Sequence, residues 1–217
     1  MVDFTQARTV MVDTQVRPSD VTKYPVIDAM LAVPREAFVP DGRQSVAYAE
    51  DAIPLGSGRW LMEPRNISKL LDALNIQPDE LVLNVAAGLG YDAAVMARLA
   101  QAVVALESDE DLARRAETIL SEQGIDNVAV VTGDLAGGYA GQAPYDVILI
   151  GAGIEALPDA IADQLREGGR IGAIFLEGHL GIARIGHKLD GKISWRYSFN
   201  GSAPLLPGFV KSVGFEF

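Results

Sequence analysis

Gly88, Gly90, Glu107 and Asp134 are the residues whose types and spacing most suggest chemistry. In "LVLNVAAGLGYDAA", residues 81–94, an apolar run drops into a glycine-containing turn and an alanine-rich helix follows. Such a turn aims backbone N–H groups at one point, and glycines, lacking Cβ atoms, let a ligand approach closely. About twenty residues on, Glu107 closes the next apolar run, where an acid can accept hydrogen bonds from both hydroxyls of a ribose. "TGDL" puts Asp134 just past a third run, at the same expected sheet edge. Three elements converging on one crevice make a nucleoside-sized cradle.

Two cofactor types use this geometry. Gly88-x-Gly90-x-x-Ala93 also satisfies the dinucleotide fingerprint, so a nicotinamide-dependent oxidoreductase is one candidate. Against it, such an enzyme normally opens with this loop or adds a sizeable substrate domain, whereas here a long segment precedes the loop and a short one follows the fifth apolar run. S-adenosylmethionine carries no pyrophosphate and tolerates a less glycine-rich loop, which suits Ala86.

The elements that must position these residues are legible from periodicity. After Pro78, apolar strands are expected at 81–85, 102–106, 128–131, 146–150 and 170–175, with helices at 91–100, 109–122 and 155–166. Almost wholly apolar strands alternating with helices predict a doubly wound α/β fold around a mostly parallel sheet. "ARIGHKLDGKISWRYSF" predicts an antiparallel edge hairpin about Asp190-Gly191, giving seven strands in a Rossmann-like arrangement, and "FVKSVGFEF" could supply a last strand. Residues 3–32 form a helical extension broken at Arg17-Pro18, with Val21, Val26, Ile27, Met30 and Leu31 on one stripe of its second piece. A further helix carries Ile67, Leu70, Leu71 and Leu74 on one face, whereas residues 43–63 show no clear period. Ser108 with Asp111 is the expected capping box of the helix after Glu107. We place residues 1–78 as a helical cap with a substrate loop and residues 79–217 as the cofactor-binding α/β domain, packed as one unit.

Composition bounds the function. The chain has 217 residues, 49% of them hydrophobic and 22% charged, with a net charge of −11 and no cysteine. That charge argues against a nucleic-acid partner, and the missing cysteine excludes a disulfide, a thiolate zinc site and a thiol nucleophile. The N-terminus lacks a secretory pattern and no apolar run reaches membrane-spanning length, so a cytoplasmic protein is expected. Asp109, Glu110 and Asp111 suit a helix N-terminus better than a metal site, and His179 and His187 suit surface positions. Trp60 and Trp195 are expected to pack, and Asn84 to be a buried polar group bonded to backbone.

The continuous pattern resembles the protein-L-isoaspartate O-methyltransferase family. The opening "MVDTQVRPSDVTKYPVIDAMLAVPREAFVP" is similar to that family's helix pair and its "VPRE-F-VP" phrase. "NVAAGLGYDAAVMARLA", "ALESDEDLARRAETIL", "NVAVVTGD", "APYDVILIGAG" and "LPDAIADQLREGGRIG" follow in family order over roughly residues 8–175, with a weaker echo in "LPGFVKSVGFEF". The resemblance implies S-adenosylmethionine as cofactor and methyl transfer to the stray carboxylate of L-isoaspartyl or D-aspartyl residues in damaged proteins. Cofactor positions would map to Ala86, Gly88, Gly90, Glu107 and Asp134, with Leu135 beside the adenine. A peptide or protein is the expected partner, a small molecule the lesser one.

Three departures stand out. The family usually has an acid at Asn84, a glycine at Ala86, and a "GDG" phrase where this chain reads "GDL". Counting between Pro54 and Pro64, the family's substrate-loop phrase falls on "RWLMEP", and Met62 takes the place of a serine usually assigned a catalytic role. Met62 itself is expected to fill core, with Arg59 or Trp60 holding a carboxylate or flat ligand instead. The rivals are a methyltransferase with a different acceptor and a non-catalytic protein that binds S-adenosylmethionine or acts through partners.

Overall fold

Alternating apolar strands and helices can bury both faces of a parallel sheet only by winding to either side of it. The computed structural model describes residues 3–211 and has this architecture. Its main sheet contains β3 (Leu81–Val85), β4 (Ala102–Glu107), β5 (Val128–Thr132), β6 (Tyr145–Ile154), β7 (Leu165–Glu177), β8 (Leu180–Leu189) and β9 (Lys192–Asn200). The spatial order is β5-β4-β3-β6-β7-β8-β9. Strands β5, β4, β3, β6 and β7 pair in parallel, and β8 and β9 extend the edge antiparallel. The chain runs outward from β3 through β4 to β5 and then returns to β6 on the other side of β3. The carboxyl ends of β3 and β6 therefore flank a topological switch point, where open α/β sheets bind ligands.

Helix α1 (Phe4–Met11) continues through a π turn into a short 3-10 turn, Arg17–Ser19, where Pro18 and Asp20 (φ 63°) stop it. Helix α2 (Tyr24–Ala32) starts with Pro25 in its first turn, where a missing N–H costs nothing. Val26, Ile27 and Met30 are buried as the stripe predicts, and Leu31 is half-buried. Helix α3 (Pro64–Leu74) buries Ile67, Leu70, Leu71 and Leu74 completely. Gly172 on β7 makes room for α3: a Cβ there would lie 3.1 Å from Leu74 Cδ1. Arg170 ties the same helix end to the sheet, donating to the Leu74 carbonyl at 2.6 Å and to Glu80 at 2.8 and 2.7 Å.

Helices α4 (Tyr91–Ala97) and α5 (Glu110–Glu122) follow the strands as expected. The cap of α5 is Asp109, which accepts from the Leu112 N–H at 2.9 Å, and not Ser108, whose hydroxyl is turned to Arg59. Glu110 and Asp111 fill the first turn, as the dipole favours. Helix α6 is shorter than predicted, Asp159–Asp163. Pro158 delays its start, and Leu165 already pairs with Tyr145 of β6. Strand β6 runs past residue 150 because the segment after β9 lies beside its end, with Leu206 N–H bonded to the Gly153 carbonyl at 2.8 Å. Asp190 and Gly191 both take left-handed conformations, so the β8–β9 turn has the hairpin geometry their types predict. Leu205 forms an isolated bridge to Gly153, and most of the expected last strand lies outside the described residues.

The aperiodic stretch 43–63 holds the element that periodicity did not reveal. Strands β1 (Ile53–Gly56) and β2 (Arg59–Leu61) form a separate two-stranded hairpin, not joined to the main sheet. Among the described residues no helix is long and apolar enough to cross a membrane. Leu74 joins α3 to β7 with no exposed surface, so Leu74→Ala is expected to cost about 2–4 kcal/mol, read by urea unfolding.

Candidate active site

The loop after β3 is held in a shape that most side chains resist. Ala86, Gly88 and Gly90 all have positive φ, of 62°, 57° and 91°. For Ala86 this is a left-handed conformation costing about 1–2 kcal/mol, so its surroundings must impose it. They do: the Ala87 N–H bonds to the Leu106 carbonyl at 3.1 Å, and the Gly90 N–H to the Ala87 carbonyl at 2.8 Å. A Cβ on Gly151 of β6 would sit 2.9 Å from the Ala86 carbonyl oxygen, so only glycine lets β6 end this close to the loop. The turn accommodates the Ala86 methyl at its positive φ.

At the centre lies Glu107, with no exposed surface. Its carboxylate accepts from the backbone N–H groups of Gly88 (2.9 Å), Ser108 (2.7 Å) and Asp109 (3.0 Å). Arg59 Nε donates to both of its oxygens, at 3.0 and 3.1 Å. The remaining guanidinium donors reach Ser108 Oγ at 2.6 Å and the Ser57 carbonyl at 3.3 Å. Both charges are out of water, and each is matched by the other and by fixed donors. A buried ion pair is tolerated under those conditions, and losing one partner typically costs about 3–5 kcal/mol.

The predicted residues divide. Ala86, Gly88, Gly90 and Glu107 meet at the carboxyl end of β3 and β4. Leu135 is buried there in the apolar cluster that also contains Ala86 and Leu106. Asp134 stays exposed at the rim, and its carboxylate turns back on its own loop, accepting from Ala136 and Gly137 N–H at 3.3 and 3.0 Å. Arg59, Trp60 and Met62 do not converge. Strand alternation sends Arg59 inward to Glu107 and leaves Trp60 39% exposed on the other face, so Trp60 does not pack as expected. Met62 is 2% exposed within the core, and only its carbonyl does polar work, accepting from Arg35 Nη2 at 2.6 Å. Trp195 does pack, edge-on to Phe175 with ring centroids 4.7 Å apart.

Sequence reasoning missed a second polar cluster. Arg35 is wholly buried, bonded to the Ala47 carbonyl at 2.7 Å and stacked 4.7 Å above the Tyr91 ring. Its neighbour Asp92, in the first turn of α4, is buried beside the tip of β6; its Oδ2 would stand 3.5 Å from a Cβ on Gly151. Arg35 Nη1, Tyr91 Oη, Asp92 Oδ1 and both amide atoms of Asn84 have no hydrogen-bond partner, so Asn84 is not tied to backbone as expected. The available signal was a Tyr-Asp pair opening an otherwise apolar helix.

Burial pushes Asp92 up to about 6 from 3.8, with Arg35 opposing the rise. The folded state thus holds this proton more tightly than the unfolded chain. Stability from this group is present below about pH 4 and is lost as pH rises through about 6. Asp92→Asn is therefore expected to gain about 1–3 kcal/mol on the wild type between pH 5 and pH 8, read by urea unfolding at each pH.

The family model described as protein-L-isoaspartate(D-aspartate) O-methyltransferase matches residues 7–199. A protein-L-isoaspartate O-methyltransferase from Koribacter versatilis is 38% identical over 171 residues, covering 79% of this chain and 77% of that one. One from Methylorubrum extorquens is 39% identical over 169 residues, covering 78% and 74%. In fold, the chain is similar to a solved structure named protein-L-isoaspartate O-methyltransferase, with a TM-score of 0.79 at 23% identity over 94% of this chain and 65% of that one. A Plasmodium falciparum chain described by the same activity, solved with S-adenosyl-L-homocysteine, gives 0.78 at 19% identity, covering 92% and 97%. With its glycine turn and buried strand-tip acid in place, the chain belongs to the protein-L-isoaspartate(D-aspartate) O-methyltransferase family.

Proposed function

We propose that this protein transfers a methyl group from S-adenosylmethionine to the carboxylate of L-isoaspartyl or D-aspartyl residues in damaged proteins. The observation that carries this reading is Glu107, a buried carboxylate bonded to the Gly88 N–H inside a family-type loop. The residues fit an adenosyl group. Glu107 would accept ribose hydroxyls in the place Arg59 now takes, the left-handed turn at Ala86, Gly88 and Gly90 presents little side chain to a ligand, and Leu135 would supply an apolar wall for adenine. Asp134, exposed at the rim after β5, would flank the cradle.

The bound donor supplies an electrophilic methyl on a sulfonium. The acceptor carboxylate is ionised at neutral pH, with a reference pKa of about 4, so the protein needs no general base for this step. Its own residues contribute position and dryness. Met62, inside the core, offers no hydroxyl to orient an acceptor oxygen. Losing one such hydrogen bond to a charged group, about 1–3 kcal/mol, predicts turnover lowered roughly tenfold to a hundredfold.

Calorimetry is expected to show binding of S-adenosylmethionine and its demethylated product but not NAD. Tritiated methyl groups are then expected on an isoaspartyl peptide and not on its aspartyl isomer. Tight donor binding with no transfer would move the acceptor to another class. Restoring a serine by Met62→Ser is expected to cost about 2–4 kcal/mol without raising turnover, because the hydroxyl would be buried where the Met62 side chain packs.

A further inference from the structure

Glu107 can satisfy either a guanidinium or a pair of ribose hydroxyls, and in this structure it satisfies the guanidinium. Arg59 reaches it from a hairpin that has no ladder with the main sheet. A lone two-stranded hairpin is marginal by itself, so its placement depends on what it touches. Its tip touches the strand end that the nucleoside would use. Arg59 bonds Glu107 and Ser108, and the Ser57 hydroxyl donates to the Asp109 carboxylate. Below the tip, Leu55 presses on the cofactor loop: a Cβ on Gly88 would come within 2.7 Å of Leu55 Cδ1. The turn itself, Gly56-Ser57-Gly58, has φ values of 100°, 49° and 71°, a run of left-handed residues in which the two glycines can reorient at little steric cost.

We infer that Arg59 sets the affinity of the cofactor site, standing on Glu107 in place of a ribose and holding the 53–61 hairpin over the loop until an adenosyl group displaces it. The inference rests on the methyl-donor reading above. It differs from a merely structural ion pair in the direction of its effect. Removing a structural partner would weaken or leave unchanged the binding of a ligand at Glu107. Removing a competitor strengthens it. Glu107 without Arg59 would still keep its backbone donors from Gly88, Ser108 and Asp109, so the acid stays poised for hydroxyl groups.

The test uses the whole chain and S-adenosyl-L-homocysteine as probe, with calorimetry and amide hydrogen exchange on wild type, Arg59→Gln and Ser57→Ala. Arg59→Gln is expected to bind the probe roughly tenfold or more tightly than wild type. Without ligand, its amides at Leu55–Leu61 and Gly88 are expected to exchange faster. Ser57→Ala leaves the buried pair intact and is expected to shift both readouts the same way by less. In the wild type, adding the probe is expected to speed exchange in the hairpin while slowing it at Gly88. Equal or weaker probe binding by both variants would overturn the inference, as would unchanged hairpin exchange. If no chain binds the probe while the variant hairpins open, the methyl-donor reading fails and the hold of Arg59 on the hairpin stands.

Discussion

A carboxylate removed from water must be surrounded by donors, and the site is organised around that requirement at Glu107. Backbone N–H groups from the glycine loop and from the start of the α5 segment point at it, and Arg59 completes the shell. The loop can offer the Gly88 N–H because Ala86, Gly88 and Gly90 accept left-handed backbone. The strand offers the acid because β4 ends one residue beyond the β3 tip, with Val85 paired to Leu106. Sheet register, loop conformation and charge compensation are therefore one constraint seen at three scales.

The same accounting separates the two buried polar clusters. Around Glu107 every strong donor and acceptor is matched, and the cluster stabilises the closed hairpin. Around Arg35, Tyr91, Asp92 and Asn84 the matching is incomplete, and Asp92 is pushed toward its neutral form by burial. A buried polar group without partners costs free energy. Part of that cost is carried by Asp92, beside Gly151 of β6.

The departures from the family pattern also acquire physical meaning. Ala86 keeps a glycine-like φ and therefore preserves the turn. Met62 replaces a hydroxyl with a core side chain and hands its carbonyl to Arg35. The segment in which the family phrase was expected is a hairpin whose arginine bonds Glu107. Arg59 and Met62 thus lie on and just after one element, the hairpin packed against the loop.

Much of the fold was written locally. Apolar runs of strand length, helices with a four-residue stripe at Ile67, Leu70, Leu71 and Leu74, and the Asp190-Gly191 turn depend on nearest neighbours and on period, so the sequence alone determined them. The glycine turn and Glu107 were legible for the same reason, because their spacing spans one strand–helix–strand unit. What only the tertiary structure decided is the partner of each charge. Arg59 meets Glu107 across 48 positions, and Arg35 meets the Met62 carbonyl across 27. Nothing in the stretch 43–63 carries a period, since a short hairpin packed on a loop takes its conformation from the surface beneath it. Which way Arg59 points is settled by a desolvated carboxylate that only the folded sheet sets beside it.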